Sequence, residues 1–460
     1  MNKFNKLDKI FILIAFVFGS LILFFPVHYL LLSFLAAIVF IFLLAKPKYC
    51  YYLVIFTITF PDRLRVLPIS FSANDILILI SILSVGLDLL INDRRVSLKT
   101  SIDKWNIVLL ILYFITGITS LSNTGILTSF KFLEAIFVFY ITVYLIRTKQ
   151  TSWSKIIKAF LFTALFQSLI GILQSTTGEF GATFQSARGY LGYLGIGPKI
   201  VWHAWGTFGG NGMLPEFLAD ILLLILPFLK FINTKKRNII MAILLVAIYM
   251  GYSKESILAL FVCGLIYYYY NSKKRTEALG KVAVIGGITS IVSVIMANTS
   301  FVKTVDTTVA DRFFIWSYPI AAFTNNIKYL WIGAGLNSYW VLIDPLLPPN
   351  IFAQEHGYMF AHNYYLLAVE EMGIIGAVIL FSFFIFMCKK FFENFKKYKG
   401  YYRKLNMSVF LFLITIFTSS IGGFFYYNTY MKIMMYILLG MVLAKENFLN
   451  EAIKKRKLNV

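Results

Sequence analysis

The sequence predicts an all-α, polytopic integral membrane protein with about 12–14 transmembrane helices, on three observations. Hydrophobic residues make up 59% of the 460 positions and charged residues only 14%, whereas soluble domains carry roughly 45–50% and 25%. The apolar residues come in runs that approach the ~20 needed to cross a bilayer. The basic residues sort between alternate loops, as membrane orientation demands. This composition excludes a disordered chain, a collagen and a disulfide scaffold. The formal charge of +22 would suggest nucleic acid in a soluble protein. Here it is explained by orientation, and no nucleic-acid partner is expected.

In chain order, candidate spans fall near 10–25, 28–45, 49–60, 74–91, 106–120, 131–146, 156–174, 214–232, 239–252, 257–270, 282–296, 364–388, 407–423 and 428–444. The basic start and apolar Ile10 to Phe25 read as an uncleaved first helix, because no small-residue cleavage site follows. Tyr49 to Phe60 is the weakest span, stopped by Pro61. It is expected as a half-helix or as one running on through the next loop. With the N-terminus in the cytoplasm, inner loops hold 33 of the 43 Lys+Arg. The outer segments keep Arg63, Arg65, Lys131, Arg188, Lys199, Lys254, Lys303, Arg312, Lys328 and Lys432. A miscounted helix would scramble that sorting, so an even number of spans and two cytoplasmic termini are expected. Cys50, Cys263 and Cys388 sit in apolar runs without metal-like spacing and read as small buried hydrophobes.

The expected organisation is one membrane domain over 1–460 with two long extracytoplasmic loops, 174–213 and 298–361. The first contains Arg188, Lys199, His203 and the stretch Gly206-Thr-Phe-Gly209-Gly210-Asn-Gly212. The second contains Arg312, Trp316, Trp331, Gly333, Gly335, Trp340, Pro345, Pro348, Pro349 and His356. Loops of this length usually carry function, and the second is the candidate active site. The tryptophans suit either stacking on sugar rings or interfacial anchoring. No zinc spacing, nucleophile elbow, phosphate-binding loop or dinucleotide fingerprint occurs, so neither a metal nor a cofactor is expected. His28 reads as interfacial. Lys131 and Glu134 read as an i,i+3 pair, and Asp75 and Asp88 as span-end residues reaching water. Glu216 and Asp220 read as helix-dipole partners, with acceptor or lipid contact as the alternative.

The strongest signal is Ala361-His-Asn-Tyr-Tyr-Leu-Leu-Ala-Val-Glu-Glu-Met-Gly-Ile-Ile-Gly376. Asn363 suits an N-cap for a long apolar helix, whose N-terminus favours an anion. Glu371 lies nine residues beyond His362, about 13 Å along a helix, where a carboxylate is costly unless paired. Gly373 and Gly376 would permit close helix approach.

That segment resembles the H-N-x-x-L…E-x-G-x-x-G signature of the bacterial O-antigen ligase and polymerase family. Other pieces agree in order. Arg312-Phe-Phe-Ile-Trp316 is similar to an R-x-x-x-W element, and Trp331-Ile-Gly-Ala-Gly335 to a G-x-G stretch. Gly206 to Asn211 with Phe217-Leu218-Ala219 resembles the glycine/asparagine element opening a span. Ser253-Lys254-Glu255-Ser256 falls where the family has S-R-G. The resemblance covers roughly residues 160–440.

It implies a GT-C-like glycosyltransferase of the bacterial cytoplasmic (inner) membrane, acting on the extracytoplasmic side. Its donor and acceptor would be undecaprenyl-pyrophosphate-linked glycans, with membrane lipid around it and a flippase and chain-length regulator as candidate partners. By resemblance His362 activates the acceptor hydroxyl, and Arg312 with Lys254 holds the donor pyrophosphate. Asn363, Glu371, Arg188, His203 and Trp316 are further candidate substrate contacts. Lys254 departs from the family arginine and lacks its bidentate fork. Elementary chemistry agrees: a histidine can serve as base near neutrality, and cations can neutralise the leaving group without a metal. Asp306, Asp311, Asp344 and Glu355 are alternative bases. The expectation is a polysaccharide polymerase, with O-antigen ligase as the alternative. A transporter or flippase is disfavoured, since no repeat is visible and the polar residues gather at one face. A non-catalytic scaffold would not need His362, Arg312 and Lys254 on one side.

Overall fold

The computed structural model describes residues 27–60, 64–65, 70–92, 96–177, 188–191, 199–202, 204–208, 212–251, 253–282, 284, 316–343, 363–421, 423 and 428–446. The helices are α1 (Val27–Ala45), α2 (Pro47–Thr57), α3 (Ala73–Ile91), α4 (Asp103–Ile118), α5 (Gly125–Arg147), α6 (Trp153–Thr177) and α7 (Met213–Ile225). They continue as α8 (Thr234–Met250), α9 (Lys254–Asn271), α10 (Ile327–Ile332), α11 (Tyr339–Ile343), α12 (Tyr364–Lys397), α13 (Gly400–Ser419) and α14 (Thr429–Leu443). Two two-stranded antiparallel ribbons are the strands described: β1 (Leu64–Arg65) with β2 (Ser70–Phe71), and β3 (Arg188–Leu191) with β4 (Lys199–Trp202). The fold is an all-α polytopic membrane bundle.

Among the described residues, α3, α5, α6 and α12 are each long and apolar enough to cross a bilayer. A fifth span is made if the bent pair Leu35–Ala45 and Pro47–Thr57 counts as one. That pair bends by 110° at Lys46, whose φ of −134° and ψ of 75° lie outside the helical region that a following proline disfavours. The half-helix reading therefore holds for α2, which is 11 residues long. The candidate span near 10–25 lies outside the described residues, as does nearly all of the one near 282–296.

The bundle is apolar outside and apolar-to-polar within, as a lipid environment requires. On α4, Ile107, Ile111 and Ile115 recur every four residues and are all more than half exposed, while Leu109, Tyr113 and Thr116 are buried. Helix α14 is enclosed: every residue from Ile433 to Leu443 is buried. Its closest neighbour is α5, where Gly440 lies against Thr142 and the Phe139 carbonyl, the close approach that a small residue permits. Some buried hydroxyls bond across helices, as Tyr51 Oη and Thr142 Oγ1 do at 2.8 Å.

Successive helices run up and down, so their ends form two faces. One face gathers the starts of α3, α5, α7, α12 and α14 with the ends of α2, α4, α6, α8 and α13. Ties there include Tyr364 N–H to the Ser420 carbonyl and Ala204 N–H to the Met250 carbonyl. The other face holds most of the basic residues, with Arg147 donating to the carbonyls of Ala444, Ser97 and Lys99 and Lys390 paired to Glu446 at 2.7 Å.

Candidate functional site

The face that carries the start of α12 is built around a break in that helix. Asn363 adopts extended backbone (φ −152°, ψ 107°), and its side chain accepts from Leu366 N–H at 3.1 Å. It is the N-cap expected from sequence, one residue after His362. Helical geometry then fails at Gly373, with φ 69° and ψ 173°. A break at membrane depth frees carbonyls that no water can satisfy, and these are tolerated only where protein receives them. The loop after α10 does so. Ala334 N–H donates to the Glu370 carbonyl at 2.8 Å and Gly335 N–H to the Glu371 carbonyl at 2.9 Å.

The glycines make this crossing possible. Gly333 has φ 77° and Gly335 φ 96°, and a side chain on Gly333 would collide with the Glu371 carbonyl. One on Gly373 would collide with the Trp331 carbonyl, and one on Gly335 with the Ser120 backbone. The G-x-G stretch and the E-x-G stretch, 38 residues apart in sequence, are thus one backbone-to-backbone clamp. Leu336 N–H to the Thr116 carbonyl and Leu121 N–H to the Ala334 carbonyl tie the clamp to the α4–α5 turn.

Glu371 is 4% exposed, and its Oε1 accepts from Asn337 N–H at 2.7 Å. Asn337 itself holds φ 58°, a left-handed backbone that asparagine tolerates better than most side chains. The carboxylate interacts electrostatically with Lys432 of α14, which is 2% exposed. Both line a small cavity with Tyr113, Tyr364 and Leu336. Lys131 extends the charged chain: it pairs with Asp75 and lies 3.8 Å from Glu134. The i,i+3 pair read from sequence is therefore present, but its lysine is shared. Asp75 does not reach water as expected. It is 6% exposed because it closes a capping box with Ser72 and meets Lys131. Asp88 at the other end is held by Tyr144, Gln150 and Asn92.

A second junction lies on the same face. The turn Ala204–Phe208, with Gly206 at φ 62°, is received by two buried glutamines of α6. Gln174 Oε1 accepts from the N–H groups of Trp205 and Gly206, and its amide donates to the Gly206 carbonyl at 2.8 Å. Gln167 Oε1 accepts from Thr207 N–H, and its amide donates to the hydroxyls of Thr59 and Thr207. Following this turn, Glu216 and Asp220 are both buried on α7, so a dipole role at a wet helix end does not describe Asp220, which is 0% exposed. Glu216 Oε2 accepts from Tyr430 Oη at 3.5 Å.

The remaining sequence candidates fall as follows. Trp316 is the first described residue of the helical stretch 316–325 and is partly buried. Lys254 is the first residue of α9, behind Ser253, whose hydroxyl accepts from Ser256 N–H at 3.2 Å. The Lys254 and Arg188 side chains lie outside what is described, with Arg188 in β3 by its backbone. His362, Arg312 and His203 lie outside the described residues, as do Asp306, Asp311, Asp344, Glu355 and His356. Sequence reasoning missed Lys432, although a signal was present: it is the one charged residue in α14, and an ionisable group in an apolar helix is a site candidate by default. It also missed Gln167 and Gln174, for which no local signal exists.

The sequence model of a protein family described as O-antigen ligase matches residues 239–381. That segment runs from within α8, through α9 and the G-x-G stretch, to the break in α12 and just beyond. The match supports an O-antigen ligase/polymerase-like family. No curated protein matches the chain.

Proposed function

We propose that this chain is a glycan polymerase: it joins oligosaccharide units carried on polyprenyl pyrophosphate into a surface polysaccharide, on the extracytoplasmic side of the bacterial cytoplasmic membrane. The observation that carries the reading is the clamp between Gly333–Gly335 and Glu371–Gly373. It joins two of the stretches that carry the family likeness, beside the buried Glu371 and Lys432.

In this reading the acceptor hydroxyl gives its proton to the His362 imidazole as its oxygen attacks the anomeric carbon of the donor sugar. The bond from that carbon to the phosphate oxygen breaks, and polyprenyl pyrophosphate leaves. Arg312 and Lys254 neutralise the charge that develops on the leaving pyrophosphate, the task a divalent cation performs elsewhere. The candidate active site is the loop 298–361 together with the α12 start, within a single membrane domain.

Replacing a general base costs about 10²–10⁴-fold, so His362→Ala should abolish the polymer ladder while the protein still accumulates in the membrane. Near-normal polymer would move the base to Glu355 or a loop aspartate. The second reading, transfer of finished glycan to lipid A-core or another acceptor, is favoured by the description of the matched family. A deletion strain separates the two. A single repeat unit on the final acceptor supports the polymerase, and full-length polymer retained on the lipid carrier supports the ligase.

A further inference from the structure

On the same face, a cavity of about 250 Å³ lies between the end of α2, the start of α3, the turn before α7 and the first turn of α14. Its lining includes Thr59, Phe60, Asn74, Phe208, Asn428 and Tyr430. The first turn of α14 separates it from the Glu371 cluster: Tyr430 and Ile433 face this cavity, whereas Lys432 lines the other.

The lining selects among ligand classes. None of the eleven described lining residues is charged, so among the described residues a pyrophosphate would meet no counter-ion. Hydroxyl and amide side chains alternate with rings, so an unbroken hydrocarbon tail would leave those polar groups unpaired, at about 1–3 kcal/mol each. What the surface matches is a ligand with apolar C–H faces and a rim of neutral hydroxyls. The Phe208 and Tyr430 rings, 5.0 Å apart, form an aromatic wall. Asn74 is 4% exposed, and its one described hydrogen bond uses the carbonyl oxygen, which accepts from Thr57 Oγ1 at 3.1 Å. Among the described residues its amide nitrogen makes no further hydrogen bond, and Asn74 lines the cavity. The volume is below the ~300–1,000 Å³ of pockets for drug-sized ligands, which suits a single ring better than an oligosaccharide.

We propose that this cavity is a binding subsite for one neutral pyranose unit, a hexose or N-acetylhexosamine, of the glycan being handled. The inference deepens the polymerase reading by naming the sugar class its site would hold, and it rests on that reading for its biological role.

The test uses the purified full-length chain in nanodiscs and saturation-transfer NMR. Its probes are methyl glycosides of glucose, galactose, mannose, N-acetylglucosamine and N-acetylgalactosamine, with glucuronate as the charged control. At least one neutral glycoside should receive saturation at its ring protons, and glucuronate should not. Thr429→Phe, which places a ring in the cavity, should remove the signal. Asn428→Ala, a milder change, should weaken binding about fivefold, the scale of one lost hydrogen bond. Should Thr429→Phe fail to fold by its melting curve, Asn428→Ala decides. Silence from every neutral glycoside, equal binding of glucuronate, or binding unchanged in the folded variants overturns the proposal. Sugar binding is read here without any transfer. If both variants lose it while His362→Ala leaves polymer intact, the subsite stands and the polymerase mechanism falls.

Discussion

Two junctions on one face of the bundle solve the same problem by different chemistry. Each holds irregular backbone whose buried polar groups must find partners within the protein. At the α12 break, backbone meets backbone: the 334 and 335 amides cover the 370 and 371 carbonyls. At the turn 204–208, side chains do the work, with Gln167 and Gln174 reaching in from α6. The first arrangement demands glycine at particular places, since an added Cβ would meet a carbonyl at Gly333 and Gly373 and the Ser120 backbone at Gly335. The second meets the backbone with donors and acceptors on two side chains, though it too turns on a glycine, Gly206 at φ 62°. The backbone clamp is the one that adjoins Glu371, whose carboxylate interacts with Lys432.

Substitutions can break that contrast, the largest effect expected first. Gly373→Ala would combine a positive φ with a collision against the Trp331 carbonyl. Strain and overpacking together cost up to about 6 kcal/mol, so a large fall in melting temperature and loss of polymer are expected. An unchanged melt would show that the helix can close without the break. Lys432→Met should follow, at about 3–5 kcal/mol, because it leaves the Glu371 carboxylate buried and uncompensated. Combining it with Glu371→Gln should recover much of that stability. A double variant no more stable than Lys432→Met alone would mean that the two charges do not depend on each other.

Gln174→Ala comes next. It orphans buried backbone groups of the 204–208 turn, at about 1–3 kcal/mol for a buried group left unsatisfied. Gln174→Glu should be milder in its acceptor role but still lose the donor to the Gly206 carbonyl. If Gln174→Ala destabilised as much as Gly373→Ala, the side-chain junction would be no more forgiving than the backbone one. The smallest effect is expected for Lys254→Arg, at the start of α9, where stability should move by less than about 0.5 kcal/mol. Polymer yield should hold or rise, since the guanidinium adds a bidentate contact to pyrophosphate. A sharp loss would place Lys254 outside the pyrophosphate site.

Much of the fold was legible because it follows from a solvent constraint. Apolar runs such as Ile107–Ile118 have nowhere to go but a bilayer, whereas the 110° bend at Lys46 came from the structure, the sequence having marked only the stop at Pro61. Asn363 was legible as a cap because the residue type and its place before an apolar run express one local hydrogen bond. Glu371 was legible as paired, because an unpaired carboxylate at that depth is too costly. Its partners were not. Lys432 lies 61 positions away and Asn337 34 positions before it, and nothing local links them. Gly373 was expected to bring helices close and instead breaks its own helix, a difference that the loop at 333–335 decides.

By itself, then, the sequence determined the environment, the helical class and the local caps, since burial, capping and proline restrictions act within a turn or along one helix face. Its order of short motifs also carried the family likeness. Only the tertiary structure decided that the G-x-G and E-x-G stretches are two halves of one clamp, and that Gln167 and Gln174 hold the glycine turn. It alone brought Lys432 to Glu371 and left, beside Tyr430, a cavity with no charged residue among its described lining. These depend on which helices pack together, and packing sums many weak contacts between residues far apart in the chain, a sum that no single segment records.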